Sequence, residues 1–100
     1  MIVLTTPTGH IGSEILSSLT AAGAPVRAIA RDPSKLPAGV DAVAGAHDDP
    51  TVLDAALADG ADALFLLVPP HFTAPDVDAH YVRFGRAAAE AVARHGVPRV

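Results

Sequence analysis

Ile2-Val3-Leu4-Thr5-Thr6-Pro7-Thr8-Gly9-His10-Ile11-Gly12 runs from an apolar strand through a glycine-bearing turn into a segment where Ile11, Ile15, Leu16 and Leu19 recur at helical spacing. Strand, tight turn and helix in that order make a cradle for an anion. Backbone N–H groups in the first turn of a helix have no internal partner and lie at the positive end of its dipole, so a phosphate there gains hydrogen bonds and charge stabilisation together. Glycine lets the anion come close, because a Cβ would hold it away. Pro7 removes one N–H donor from the loop and is expected to push Thr6 towards extended backbone angles.

Outward from that turn the chain alternates. Ala22-Gly23-Ala24-Pro25 stops the first helix, with Gly23 suited to a left-handed residue just past its end. Val26 to Arg31 reads as a second strand, Asp32 to Gly39 as a proline-punctuated connection with one helical turn at Pro33 to Leu36, and Val40 to Ala44 as a third strand. Asp48-Asp49-Pro50 starts a helix by side-chain capping and a proline at its first position, and the helix is expected to reach about Asp59 with Val52, Leu53, Ala56 and Leu57 inward. Ala61 to Val68 is apolar on both faces after Asp62, as a central strand covered on both sides must be, and Pro69-Pro70 ends it. A loop from His71 leads to a long helix capped near Asp76, with Val77, Tyr81, Phe84, Ala88, Ala91 and Val92 on its inner face and Gly96 at its close. Pro98-Arg99-Val100 has the character of a further strand.

Strands alternating with helices require right-handed crossovers and a parallel sheet with helices on both faces, expected in the order 3-2-1-4 with the start of a fifth strand beside the fourth. Ligands bind at the carboxyl edge of such sheets where the order reverses. The glycine turn, Arg31, Ala46-His47 and Val68-Pro69 all fall there.

Half of the 100 residues are hydrophobic, and the formal net charge is −4. Seven Lys and Arg scattered along an acidic chain do not make the concentrated basic face that a nucleic-acid reader needs. Cysteine is absent, which fits a reducing compartment. Met1 leads directly into a strand without a basic n-region or cleavage site, and no apolar run is long enough to cross a bilayer. The expectation is a soluble cytoplasmic single domain that binds neither nucleic acid nor membrane.

The opening motif resembles the atypical short-chain dehydrogenase/reductases, and among them the NmrA-like NAD(P)-binding proteins, whose first strand is followed by Gly-Ala-Thr-Gly-x-x-Gly. Thr8, Gly9 and Gly12 match it, with His10 and Ile11 between, while Thr6 and Pro7 stand where the family has glycine and alanine. The resemblance implies a three-layer Rossmann-type fold with a dinucleotide on the turn from Thr6 to Gly12. It covers this whole chain but only the N-terminal part of a usual family member. Val26 to Leu36 follows the same family pattern, and Val68-Pro69 matches its loop beneath the nicotinamide-side ribose.

At the end of the second strand, dinucleotide folds place the group that reads the adenosine ribose. A carboxylate there accepts from the 2′-hydroxyl of NAD, whereas the guanidinium of Arg31 would pair with the 2′-phosphate of NADP, with Lys35 adding a second positive charge. NADP(H) is therefore expected over NAD(H). Two other readings stand beside it: a solvated Arg31 paired with Asp32 or Asp48, and Asp32 itself as the ribose reader. After the third strand the family has Gly-Asp against the adenine, but this chain has Gly45-Ala46-His47-Asp48, so His47 either stacks on the base or is a solvated loop histidine.

His71 and His80 flank the loop after the fourth strand, and Asp76 and His80, four apart on one helix face, have a spacing that can hold a metal, but no third ligand is evident and the commoner reading is exposed or capping side chains; no metal is expected. The reductase motif Tyr-x-x-x-Lys is not met, since Gly85 stands four residues after Tyr81. The resemblance implies hydride transfer from NADPH to a small carbonyl, enone or quinone. The alternative, also found among NmrA-like proteins, is a non-catalytic NAD(P) sensor that regulates a protein partner.

Overall fold

The structure is a computed structural model that describes residues 1–69 and 75–100. Strands β1 (Ile2–Thr5), β2 (Val26–Ala30), β3 (Asp41–Ala44) and β4 (Ala63–Phe65) pair in parallel in the order β3-β2-β1-β4, as expected. Helices α1 (His10–Ala21), α2 (Pro50–Leu57) and α3 (Val77–His95) supply the crossovers, with a 3-10 turn at Pro33–Lys35 between β2 and β3.

Side-chain alternation divides the sheet into two buried faces. Val3, Ile29 and Leu64 face one core with Leu53, Ala56 and Leu57 of α2 and Ala87, Ala88 and Ala91 of α3. Leu4 and Ala28, paired across the strands, are buried on the opposite face, where α1 covers β1 and β2 and Leu16 is 3% exposed. Truncating a fully buried leucine such as Leu53 or Leu64 to alanine costs about 2–5 kcal/mol in such a site.

The helix ends follow from local chemistry. Ala24 N–H bonds Leu19 C=O and Gly23 N–H bonds Thr20 C=O, with Gly23 at φ 74°, so α1 ends in a Schellman motif. Asp49 accepts from Thr51 N–H ahead of Pro50, and Asp76 accepts from Ala79 N–H, which caps α2 and α3.

Several expectations need correction. β4 ends at Phe65 and not at Val68, because beyond Phe65 the chain is taken up by side chains: Thr5 Oγ1 donates to Phe65 C=O and accepts from Leu67 N–H, while Thr6 Oγ1 donates to Leu67 C=O at 2.6 Å. β2, β3 and α2 are each shorter at one end than read from sequence, stopping at Ala30, starting at Asp41 and stopping at Leu57. On α3 Phe84, Ala88 and Ala91 are buried as expected, but at its N-terminal end His80 takes the inner position, whereas Val77 and Tyr81 are 44% and 43% exposed. Ile11, read as inward, is 55% exposed. Pro98-Arg99-Val100 is not an assigned strand, but Arg99 C=O accepts from Leu64 N–H along the free edge of β4. The loop from His71 lies largely outside the described residues.

Candidate dinucleotide site

The sharpest departure from the sequence reading is Thr6, whose φ is +51°. The proline rule predicts an extended residue there, yet Thr6 holds the left-handed backbone for which glycine is suited, a costly state for a β-branched side chain. Tertiary contacts impose it. Thr6 Oγ1 donates to Leu67 C=O, and Thr6 C=O accepts from Gly9 N–H at 3.3 Å. That same carbonyl lies against α1: a Cβ on Gly12 would stand 1.9 Å from it, so only glycine lets the helix close on the turn. Gly9 precedes α1 with no side-chain cap, and the first turn carries no acidic residue. The positive end of the helix is thus left without a protein anion, and a phosphate is the complement it lacks.

The carboxyl edge of the sheet opens into a cleft of about 260 Å³. It is lined by the turn residues Thr6, Pro7 and Thr8, by Ile29 to Asp32 and Lys35 at and after the end of β2, by Gly45, Ala46 and His47 after β3, and by Pro69 and Phe84. The structure therefore brings Thr6, Thr8, Arg31, Lys35, His47 and Pro69 together at one cleft. Gly9, His10, Ile11 and Gly12 build the turn and helix start behind it, and Val68 precedes Pro69, without themselves lining it.

Arg31 and Lys35 are exposed, and among the described residues neither side chain has a hydrogen bond or ion pair. The expected alternatives do not hold them. Asp32 accepts from the backbone N–H and hydroxyl of Ser34, which keeps its carboxyl below the usual range, and Asp48 is paired with Arg83 at 2.9 Å. Asp32 thus caps the 3-10 turn through Oδ1, which takes both bonds from Ser34, while its Oδ2 has no hydrogen-bond partner among the described residues and Asp32 itself lines the cleft.

His47 is not a solvated loop residue. It is 5% exposed, its ring centroid lies 4.6 Å from that of Phe84, and its Nε2 is buried with no hydrogen-bond partner among the described residues. Burial pushes the imidazole down to about 4, with Asp48 opposing the shift and Arg31 adding to it, so the ring is neutral at pH 7. His80 also packs on Phe84, with centroids 4.9 Å apart, and its Nε2 lies 2.7 Å from Pro69 C=O. A carbonyl only accepts, so this nitrogen carries the hydrogen and α3 is tied to the loop after β4.

Sequence reasoning missed Phe84 as a cleft residue and His80 as the anchor of Pro69. Helical spacing marks Phe84 as inward, but nothing local shows that its ring reaches the cleft. Asp76 is occupied as a helix cap, His71 lies outside the described residues, and among those described no group of three His, Cys, Asp or Glu side chains converges. No described helix is long and apolar enough to cross a membrane.

The sequence and fold have known counterparts. A superfamily protein of the short-chain dehydrogenase/reductases from Agrobacterium tumefaciens, solved with bound NAD, is 28% identical with a TM-score of 0.81, covering 97% of this chain and 30% of that one. A candidate exported protein from Burkholderia pseudomallei is 32% identical with a TM-score of 0.76, covering 99% of this chain and 45% of that one. A UDP-glucose 4-epimerase from Thermus thermophilus, solved with NAD, shares the fold at 21% identity and a TM-score of 0.78, covering 96% and 34%. This chain thus spans between 30% and 45% of the length of these solved proteins. No curated protein matches it significantly. The family described as NAD(P)H-binding matches residues 7–100, from the proline of the turn to the last residue, and the chain belongs to that family.

Proposed function

We propose that this chain is the NADP(H)-binding part of an oxidoreductase of the NmrA-like kind, which passes hydride from NADPH to a small carbonyl, enone or quinone. The observation that carries the cofactor choice is the pair Arg31 and Lys35, two cations lining the cleft whose side chains make no hydrogen bond or ion pair among the described residues, beside an Asp32 bonded through Oδ1 to Ser34. A 2′-phosphate supplies the missing partner through charge-assisted hydrogen bonds.

In this reading the pyrophosphate sits on the turn from Thr6 to Gly12, the 2′-phosphate against Arg31 and Lys35, and the nicotinamide-side ribose over Val68-Pro69. The bound nicotinamide supplies the hydride. This chain's own residues bind and orient: Gly12 admits the close turn, Thr6 fixes the turn to the end of β4, and His80 holds the Pro69 carbonyl in place. Residues that grip the substrate are assigned to the rest of a longer protein.

The test has two arms. NADPH oxidation is followed with quinone and enone acceptors, and turnover with any of them supports the reductase over a regulatory sensor. Arg31→Asp is then expected to reverse the preference from NADPH to NADH. Unchanged preference in that variant sinks the NADP assignment, and nucleotide binding with no turnover on any acceptor, by a protein that includes the substrate-gripping part as well, favours the sensor.

A further inference from the structure

We propose that Arg83, on α3, is a cofactor-binding residue that stacks on the adenine ring of the dinucleotide; this rests on the nucleotide-binding reading above. A second recess of about 350 Å³ adjoins the cleft, shares Arg31, Ala46, Pro69 and Phe84 with it, and adds Asp48, His80 and Arg83. In the family pattern a carboxylate follows Gly45 to meet the base, but here Ala46 stands there, and His47 is buried beneath Phe84 with little of its ring to offer. The recess above Ala46 is open on the side of α3, and Arg83 lines it.

Three contacts hold the Arg83 guanidinium. Its Nε donates to Asp48 at 2.9 Å, its carbon lies 5.5 Å from the centre of the Phe84 ring, and its Nη2 reaches within 3.5 Å of His80 Nδ1. His80 uses Nε2 on Pro69, which leaves Nδ1 as the ring atom that faces the Arg83 donor. The side chain remains 58% exposed, which leaves a face for a ligand.

Asp48 offsets the charge of Arg83, whereas Arg31 has no such partner among the described residues. The two arginines are thus suited to different parts of the nucleotide. A planar, weakly hydrated guanidinium already matched to a carboxylate offers its face to a purine, and the unmatched one offers its charge to a phosphate.

The experiment titrates wild type, Arg83→Ala and Arg83→Lys with NADPH, NADH and reduced nicotinamide mononucleotide, which lacks the adenosine half, and records thermal melts alongside. Arg83→Ala is expected to weaken both dinucleotides by the same factor, about fivefold to tenfold as for one base stack, and to leave the mononucleotide unchanged. Arg83→Lys keeps the charge and the melting temperature but loses the planar face, so it should bind like the alanine variant. Loss confined to NADPH would make Arg83 a phosphate ligand, loss for all three ligands would make its role structural, and full rescue by lysine or no loss at all would remove the stack; each overturns the proposal. If wild type binds none of the three, the dinucleotide reading itself fails and this proposal with it.

Discussion

At the N-terminal ends of the strands Arg27 donates to Asp41, to Asp59 and to Ala56 C=O, and the amino group of Met1 meets Asp62 at 2.6 Å. At the carboxyl ends, among the described residues, Arg31 and Lys35 stand exposed without an ion pair, His47 buries an unpartnered nitrogen, and Thr6 sits at positive φ. Both edges belong to the same sheet and carry similar side chains. The difference is that one edge satisfies its polar groups internally and contributes stability, while the other keeps strain and unmatched charge in place for a ligand.

The comparison is broken most severely at Gly12. Gly12→Val places a side chain into Thr6 C=O, so it should cost at least about 3 kcal/mol of stability, the upper end of overpacking effects, and abolish nucleotide binding. Thermal melts and a cofactor titration read both; a stable variant with normal affinity would mean that the turn is not the cradle.

His47 sharpens the contrast through pH. Its folded pKa lies at about 4 against an ordinary 6.5, so the unfolded chain binds the proton more readily. Stability is therefore full above pH 6.5, falls as the pH drops towards 4, and loses roughly 3 kcal/mol over that window. His47→Leu should remove this loss between pH 6.5 and 4, measured by urea unfolding at several pH values. An unchanged profile in the leucine variant would place the proton uptake elsewhere.

Arg27→Ala tests the opposite edge. It should lower stability by about 1–2 kcal/mol, since Arg27 is largely buried but its carboxylate partners are exposed, and it should leave nucleotide affinity as in wild type. A change in affinity would show that the two edges are coupled.

The smallest effect is expected at Thr6. Thr6→Gly removes the backbone strain but also the hydroxyl bond to Leu67, and glycine makes the unfolded chain freer, so stability should move by less than about 1 kcal/mol. Nucleotide affinity should be kept or improved. A large loss of binding would make the Thr6 hydroxyl part of the site.

Strand order, element sequence and the position of the cleft were legible in the sequence because they follow from hydrophobic period, capping residues and the handedness of crossovers, all of which are local. What was not legible depends on partners far along the chain. The rule for a residue before proline fails at Thr6 because Leu67 and Gly12, neither a neighbour in sequence near enough to reveal it, fix the turn. The N-terminal end of the inner face of α3 was misread because His80 counts as polar until Pro69 C=O is known to satisfy it. His47 looked solvated for the same reason, since only the fold brings Phe84 across it. Arg31 was read as a candidate from its place after β2, and the structure puts it at the cleft; that Asp48 pairs with Arg83 and that Asp32 bonds Ser34 required the structure.

The central claim is that the unmatched cations at the carboxyl edge select a 2′-phosphate. Titration of the wild-type protein with NADPH and NADH by nicotinamide fluorescence, at low and then moderate salt, tests it most directly. A charge-assisted contact of about 1.5–3 kcal/mol predicts a preference for NADPH on the order of tenfold to a hundredfold, narrowing as salt screens an exposed site. Equal affinities for the two cofactors, with no dependence on salt, would contradict it.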